Sequence, residues 1–357
     1  MKILLKIENY EKGIIIERLN RFVVKARVKN KYILAHLNNT GRLEDFIKKG
    51  KVGLFLPINA DYADSTQTAS TKLKFRLSMI KESKNIYSVI DTQLQMKCFE
   101  IALEKGYISW LSCQNSSCLV RNCPHRAKIL KRNFRINHSL IDYLIQHKNK
   151  KYLLEVKSAV MKYKNFAMYP DCPSIRGQKH IKELINIHTL QTERRLGRQI
   201  SKHNAGFTQT NANKNTNYSR IKNELDTNNK TQINHELTNT NESRIERINH
   251  ELDNKEFETN SLPFVNNSRN NIRDKFVDKN TEYPRLAALY PYKSVVLFIA
   301  GMKNISAFST NKNADPKIYE LLKIAKKKGV QIKAIQIYFN EKRKSVVLKN
   351  GNLSVVL

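Results

Sequence analysis

Two neighbouring strand-like runs that carry charged residues constrain the fold of this chain more than any other feature. The first run, residues 140–145, holds Asp142, and the second, residues 152–157, holds Glu155 and Lys157. Because strand side chains alternate between the two faces of a sheet, Glu155 and Lys157 point to the same face. An aspartate on one strand and Glu-x-Lys on the next predict a sheet that carries a metal-dependent nuclease site.

The residue types suit that chemistry. Asp142 and Glu155 are candidate ligands for Mg²⁺ or Mn²⁺, which lowers the pKa of a bound water and neutralises charge on a phosphate. Lys157 is a candidate to orient or deprotonate that water, or to stabilise the developing charge. The alternative is an ion pair between Glu155 and Lys157 with no catalytic role. Two ionisable groups on one face of an apolar strand are costly without a function, which favours the nuclease site.

The chain is strongly basic, with 64 Lys and Arg residues against 31 Asp and Glu and a net charge of +33. Residues 190–283 contribute only +2, so the basic excess belongs to the rest of the chain. Such a surface attracts phosphate backbones without sequence preference, although solubility alone is a competing explanation. The apolar runs are too short to span a bilayer or to form a signal peptide, which predicts a cytoplasmic protein with no membrane partner.

Residues 1–85 contain several short runs of strand-like polarity, for example residues 21–28. Several strands in so short a stretch predict a small closed barrel, and the OB-fold is the commonest such barrel with a nucleic-acid-binding face. Tyr32, Phe22 and Phe55 are candidates to stack on bases, with core packing as the alternative for each.

A turn at residues 38–43 is predicted to lead into a short helix at residues 43–48. Thr40, Gly41 and Arg42 in this turn are candidates to bind a phosphate. The alternative is a tight turn that simply requires glycine.

From residue 86 the pattern changes to alternating helices and strands. A helix is predicted from Asp91 to Lys105, capped by Asp91 or Thr92 and ended by Gly106. The later strands are predicted at 140–145, 152–157, 160–169, 294–300 and 330–339, with edge strands at 345–348 and 353–357, and the later helices at 175–187 and 315–328. Strand–helix–strand order predicts an α/β layer with parallel pairing.

Residues 190–283 differ in composition, because they are rich in Asn and poor in aromatic residues. They contain an uneven Ile-x-x-Glu-Leu repeat at residues 221, 233 and 248. The segment is too polar to bury a core, which predicts a disordered insertion.

The five cysteines do not suggest a disulfide framework, since their number is odd and the predicted compartment is reducing. Cys113, Cys118, Cys123 and His125 form a C-x4-C-x4-C-x-H pattern of soft ligands that could hold Zn²⁺. The pattern lacks the usual C-x2-C spacing, which favours an ordinary loop with free thiols over a zinc site.

The chain resembles the sugar fermentation stimulation protein A family, in particular its archaeal members. The segments that carry the resemblance are 21–23, 36–43, 91–95, 139–144, 154–158, 167–173, 176–180 and 315–316. The most specific are Ala-Met-Tyr-Pro-Asp-Cys-Pro at 167–173 and Arg-Gly-Gln-Lys-His at 176–180. The ordered set covers nearly everything outside the insertion, whereas Glu-x-Lys alone is a weak motif.

The resemblance implies a two-domain fold of the α+β and α/β classes. An OB-like β-barrel is expected over residues 1–85. A restriction-endonuclease-like α/β domain of the PD-(D/E)xK kind is expected over residues 86–189 and 284–357, with the insertion at 190–283 between its two parts.

The resemblance also extends the list of candidate site residues. Glu100, on the helix before the sheet, is a third candidate metal ligand, with an exposed helix glutamate of no catalytic role as the alternative. Gln178 and Lys179 are candidate catalytic residues at a helix N-terminus that could face phosphate. Arg176 is a candidate nucleic-acid contact. Asp171 is interpreted as the cap of the next helix rather than as a carboxylate supporting the site.

His180, by contrast, is interpreted as a structural histidine, because no second histidine lies at ligand spacing. The resemblance implies a DNA-binding protein and a metal-dependent DNA or RNA nuclease. The alternative is a non-catalytic, sequence-nonspecific DNA-binding regulator of sugar catabolism genes. DNA is the expected partner, with RNA and a homodimer left open.

Overall fold

A computed structural model describes residues 1–58, 73–112, 126–136, 139–207 and 292–357. Its strands are β1 (Lys2–Lys6), β2 (Glu11–Arg18), β3 (Val23–Val28), β4 (Lys31–His36), β5 (Val52–Pro57), β6 (Phe75–Ser83), β7 (Ile86–Val89), β8 (Lys128–Ile136), β9 (Ser139–His147), β10 (Lys150–Ala159), β11 (Met161–Tyr163), β12 (Phe166–Tyr169), β13 (Tyr292–Ala300), β14 (Ala307–Thr310), β15 (Gln331–Asn340) and β16 (Ser345–Val356). The helices are α1 (Thr92–Glu104), α2 (Ile175–Phe207) and α3 (Pro316–Lys327), with a 3₁₀ turn at Ser109–Leu111.

Strands β2 to β6 close into a five-stranded barrel, which confirms the predicted OB-like fold. Hydrogen-bonded neighbours run β2–β3–β4–β6–β5, and β5 pairs back with β2. All neighbours are antiparallel except β4 and β6, which are parallel. Alternate residues of β3, namely Val24, Ala26 and Val28, are buried inside the barrel. Phe55 is also fully buried, so it belongs to the core and cannot stack on a base.

Two features of the first 85 residues differ from the prediction. Strand β1 lies outside the barrel, because it pairs antiparallel with β16 of the second domain. Residues 43–48 form turns instead of a helix, held by hydrogen bonds from the N–H groups of Phe46 and Ile47 to the carbonyl of Leu43. Leu43 has a φ of 54°, which lies outside the right-handed helical region and prevents a helix from starting there.

The second domain has the predicted α/β sheet with a parallel centre. Strands β10, β13 and β15 are parallel neighbours, and β8 and β9 add antiparallel strands beside β10. One face of this sheet packs against α1, and the other packs against α2 and α3. Strand β13 is buried along almost its whole length, as expected for a parallel strand covered on both faces.

The C-terminal residues were predicted as two edge strands, and this is wrong. Strand β16 is continuous and pairs with β15, β1 and β14, so it is an interior strand. Its pairing with β15 contains register shifts, which fall opposite the stretch between the two predicted strands. The strand predicted at 160–169 is in fact the hairpin β11–β12.

The helices begin as predicted, but one of them is longer. Asp91 caps α1 by accepting hydrogen bonds from the N–H groups of Gln93 and Leu94, at 3.0 and 3.3 Å. Helix α2 was predicted to end at residue 187 but continues to Phe207, into the segment assigned to the insertion. Residues 208–283 of that segment lie outside the described residues. In the described part of the chain, the helices are too short or too polar to cross a membrane.

Candidate active site

Strands β9 and β10 place the first two candidate residues side by side. Their antiparallel register pairs Leu154 with Tyr143, so the next positions along the strands are Glu155 and Asp142. One carboxylate oxygen of Asp142, Oδ2, accepts a hydrogen bond of 2.7 Å from the N–H of Val156. This bond holds the Asp142 side chain of β9 next to the Glu-x-Lys segment of β10.

Glu155 is the centre of the site and is almost completely buried, with 1% of its surface exposed. Its Oε1 contacts both the Lys157 ammonium and Nδ1 of His180. Its Oε2 is buried and has no hydrogen-bond partner among the described residues. Leaving a buried carboxylate oxygen unpaired is costly, so this oxygen has capacity for a ligand.

The surroundings of the two carboxylates shift their pKa values in opposite directions. Burial, together with the nearby charge of Glu155, raises the pKa of Asp142 to about 6. Burial also favours the neutral form of Glu155, but the combined attraction of Lys157 and His180 exceeds that effect and lowers its pKa. For Lys157, burial opposes the charged form, yet attraction to Glu155 and other nearby groups leaves its pKa raised. The site therefore holds an ionised Glu155 and a charged Lys157 beside a carboxyl group, Asp142, whose proton affinity is increased.

Helix α2 supplies the histidine of the site. Ser174 caps the helix, since its hydroxyl accepts a 3.1 Å hydrogen bond from the N–H of Gly177. His180 lies on the buried face of α2 with Ile181 and Leu184, which pack on the sheet face that also carries Glu155. His180 was interpreted as a structural histidine, but it contacts Glu155, so it belongs to the candidate site from which the sequence interpretation left it out.

The other α2 candidates lie elsewhere. Lys179 and Arg176 are exposed. The Gln178 amide donates to both carboxylate oxygens of Asp315, at 3.2 and 3.1 Å. Asp315 caps α3 and is itself buried. The structure therefore ties Gln178 to the start of α3.

Glu100 does not join Asp142 and Glu155 in a ligand set, contrary to the prediction. Its two oxygens accept hydrogen bonds from Arg132 at 2.7 and 2.9 Å, and the Tyr143 hydroxyl donates to it at 2.9 Å. Arg132, the largest influence, lowers the pKa of Glu100. Within the described ranges, no group of three or more His, Cys, Asp or Glu side chains is arranged to hold a metal ion.

The turn with the three phosphate-contact candidates packs against the second domain. Thr40 and Arg42 are exposed. A Cβ on Gly41 would lie 2.5 Å from a carboxylate oxygen of Asp171, so a larger residue here would displace that carboxylate from its place beside the turn. Asp171 accepts a 2.9 Å hydrogen bond from the N–H of Leu43. Its interpretation as a helix cap is wrong, because Ser174 caps α2 and Asp171 anchors the barrel turn.

A cleft of about 830 Å³ runs from the barrel to Asp142. Its cationic lining residues are Lys6, Arg76, Lys97 and Arg132, and its acidic ones are Glu8, Glu100 and Asp142. Of the two buried carboxylates, Asp142 lines this cleft. The proposed zinc ligands Cys113, Cys118, Cys123 and His125 lie outside the described residues.

Comparisons with known proteins agree with this architecture. The model of the sugar fermentation stimulation protein RE domain matches residues 93–243 and 285–343, and that of the SfsA N-terminal OB domain matches residues 16–89. A sugar fermentation stimulation protein homolog of Archaeoglobus fulgidus is 39% identical over 184 residues, which cover 52% of this chain and 69% of that protein. The homolog of Pyrococcus furiosus is 37% identical over 174 residues, 49% of this chain and 65% of that protein.

The matched segments thus span about two thirds of the length of these relatives. Among solved structures, Pyrococcus furiosus SfsA, described as a complex with Ca²⁺, is similar with a TM-score of 0.61 and 25% sequence identity, and the match covers 100% of both chains.

Proposed function

The chain belongs to the sugar fermentation stimulation protein A family, and we propose that it is a metal-dependent nuclease that hydrolyses phosphodiester bonds of DNA, or of RNA. The observation that carries the proposal is the pair of buried carboxylates on β9 and β10. Glu155 keeps one oxygen without a partner among the described residues, beside an Asp142 whose pKa is raised to about 6. A divalent cation would relieve both conditions.

The residues fit a hard cation such as Mg²⁺ or Mn²⁺. Mg²⁺ commonly binds through one or two carboxylates and completes its shell with water and substrate phosphate, so Asp142 and Glu155 suffice as protein ligands. The Pyrococcus furiosus relative is described with Ca²⁺, which also prefers oxygen ligands. When bound, the ion would lower the pKa of a water and offset negative charge on the phosphate.

The chain's own residues have separable roles in this proposal. The N–H of Val156 orients Asp142, and His180 orients Glu155. Lys157, charged and nearly buried, lies next to Glu155, where its ammonium can orient the attacking water or stabilise charge on the phosphate. The basic surface and the cleft would hold the polymer by its backbone.

A second candidate function is a non-catalytic, sequence-nonspecific DNA-binding regulator of sugar catabolism genes. The observation in its favour is that Lys157 and His180 both contact Glu155 and already offset its charge. A protein that only binds DNA needs the basic surface but not two carboxylates facing an anion. For that reason the nuclease is the better-supported function.

The two functions are separated by a cleavage assay on single-stranded DNA, duplex DNA and RNA, with Mg²⁺ or Mn²⁺ and with EDTA. We expect metal-dependent cutting by the wild type and none by Glu155→Ala. Glu320→Ala is the matched control, because Glu320 is an exposed glutamate on α3 that pairs with Lys323 at the surface. Cutting that survives Glu155→Ala would refute the assigned site, and a folded wild type that binds DNA without cutting would favour the regulator.

A further inference from the structure

The outer surface of the barrel carries a regular array of aromatic, apolar and basic side chains. Strands β3 and β4 are paired throughout, and their outward residues face each other directly. The outward pairs, which we call the β3–β4 face, are Val23 with His36, Lys25 with Leu34, and Arg27 with Tyr32. The alternate residues of β3 are buried, so this face is the solvent side of the barrel wall.

The β3–β4 face exposes more apolar surface than a barrel wall needs. Tyr32 is 65% exposed and Leu34 is 45% exposed. An exposed tyrosine ring next to an apolar neighbour on the barrel wall is a platform on which a planar group can stack.

The cations of this face stand beside the platform. The Lys25 ammonium lies 5.5 Å from the centre of the Tyr32 ring and 3.5 Å from a carboxylate oxygen of Glu17. Arg27 is exposed directly opposite Tyr32. Aromatic rings interleaved with cations match a strand of unpaired bases on a phosphate chain, because the rings can stack on bases while the cations bind phosphates. A partner protein with a neutral or basic surface would form no favourable charge interactions with these cations.

The face also continues towards the cleft. His36 at the end of β4 pairs with Arg76 at the start of β6, and residues paired across neighbouring strands project from the same side of a sheet. Arg76 lines the cleft that reaches Asp142. A strand lying along the β3–β4 face would therefore be led towards the carboxylates.

We propose that the β3–β4 face binds single-stranded nucleic acid, with Tyr32 stacking on a base and Lys25 and Arg27 contacting phosphates. This inference rests on the proposed function and assigns it a strand preference: unpaired strands are bound in preference to duplexes. The face reads no hydrogen-bond pattern on the bases, so the preference extends to both DNA and RNA.

The test is fluorescence anisotropy of labelled oligonucleotides in EDTA, which prevents cleavage. The probes are single-stranded oligo-dT, oligo-U, an abasic DNA strand and a duplex, all of equal length, and the protein is the full chain. Tyr32→Ala should weaken binding of oligo-dT and oligo-U by about tenfold, the size expected for one lost stacking contact. It should leave binding of the abasic strand and of the duplex within about twofold, because those contacts are electrostatic.

Two further variants complete the test. Tyr32→Phe keeps the ring and should bind as the wild type does. Tyr163→Ala is the matched control, since Tyr163 is 56% exposed, carries Lys164 at 5.6 Å from its ring and lies on β11, away from the β3–β4 face. It should leave the affinity for every probe unchanged.

The outcomes distinguish this inference from the proposed function. If the wild type binds the strands and Tyr32→Ala binds them equally well, the β3–β4 face is the wrong surface while the nuclease proposal stands. Equal weakening for the abasic strand would also overturn stacking. If the folded wild type binds none of the probes, both proposals fail together.

Discussion

Glu155 and Glu100 both contact cationic side chains, but they differ in burial and in how many of their oxygens are paired. Glu155, on a central strand, is 2% exposed at its side chain, and one of its oxygens has no hydrogen-bond partner in the described part of the chain. Glu100, on α1, is 20% exposed, and Arg132 and Tyr143 engage both of its oxygens. A buried carboxylate with an unpaired oxygen can bind a metal ion. A carboxylate whose two oxygens both pair with an arginine stabilises the fold instead. The surroundings of a carboxylate, more than its presence on a motif, decide its role.

The largest effect is expected from removing a carboxylate of the buried pair. Asp142→Ala should lower the cleavage rate by about 1,000-fold or more, because a divalent ion contributes several kcal/mol of transition-state stabilisation. DNA affinity should stay equal or increase, since a repulsive negative charge is removed. Gel-based cleavage and anisotropy on the same preparation check this. Appreciable cleavage by Asp142→Ala would contradict the assignment of the metal site to the buried pair rather than to Glu100.

Lys157 should come next. Lys157→Met keeps the length of the side chain and removes its charge, and we expect cleavage to fall by about 100-fold, the range for a lost acid–base or charge-stabilising group. Metal affinity should not fall, because a competing cation leaves Glu155. Single-turnover cleavage and a Mn²⁺ titration separate the two effects, and a weakened metal site with normal cleavage would contradict the role assigned to Lys157.

His180 should act through Glu155. His180→Ala should weaken metal binding or cleavage by about 10- to 100-fold, as found for groups that orient a metal ligand. His180→Asn keeps a donor on the side chain and should recover part of the loss. If alanine and asparagine behave alike while circular dichroism shows both folded, the histidine does not position Glu155.

Glu100 should give the smallest effect. Glu100→Gln weakens a partly exposed ion pair with Arg132, so the free energy of unfolding should fall by about 0.2–1 kcal/mol. Cleavage should change by no more than about twofold, because the described structure leaves Glu100 outside the pair of carboxylates. Urea denaturation and the cleavage assay check this, and a large loss of cleavage would show that Glu100 releases Arg132 to join the metal shell.

The sequence predicted the features that depend on local pattern. The alternation in β3 predicted a barrel wall, and the strand pair around Asp142 and Glu155 predicted two carboxylates on neighbouring strands. Both follow from the two-residue period of a strand. The parallel pairing of β10 with β13 followed from strand–helix–strand order, even though residues 190–283 separate them in the chain.

What the sequence missed depends on contacts between distant segments. Gly41 and Asp171 are far apart in the chain, and only the packed structure shows that the carboxylate occupies the place of a Cβ. Arg132 gave no sequence signal that it would saturate Glu100. For His180 a signal existed, because it lies one residue before Ile181 and four before Leu184, on the same apolar face of the helix. A histidine at that place points at the sheet, where its partner is a carboxylate and not a second histidine.

The most direct test of the central claim is binding of Mn²⁺ followed by electron paramagnetic resonance, with the wild type, Glu155→Gln and Glu100→Gln. Glutamine preserves the shape of each side chain and removes its charge. We predict one Mn²⁺ bound by the wild type and by Glu100→Gln with similar affinity, and strongly weakened binding by Glu155→Gln. Equal binding by Glu155→Gln and the wild type, or loss of binding in Glu100→Gln alone, would contradict the assignment of the metal site to the buried carboxylates.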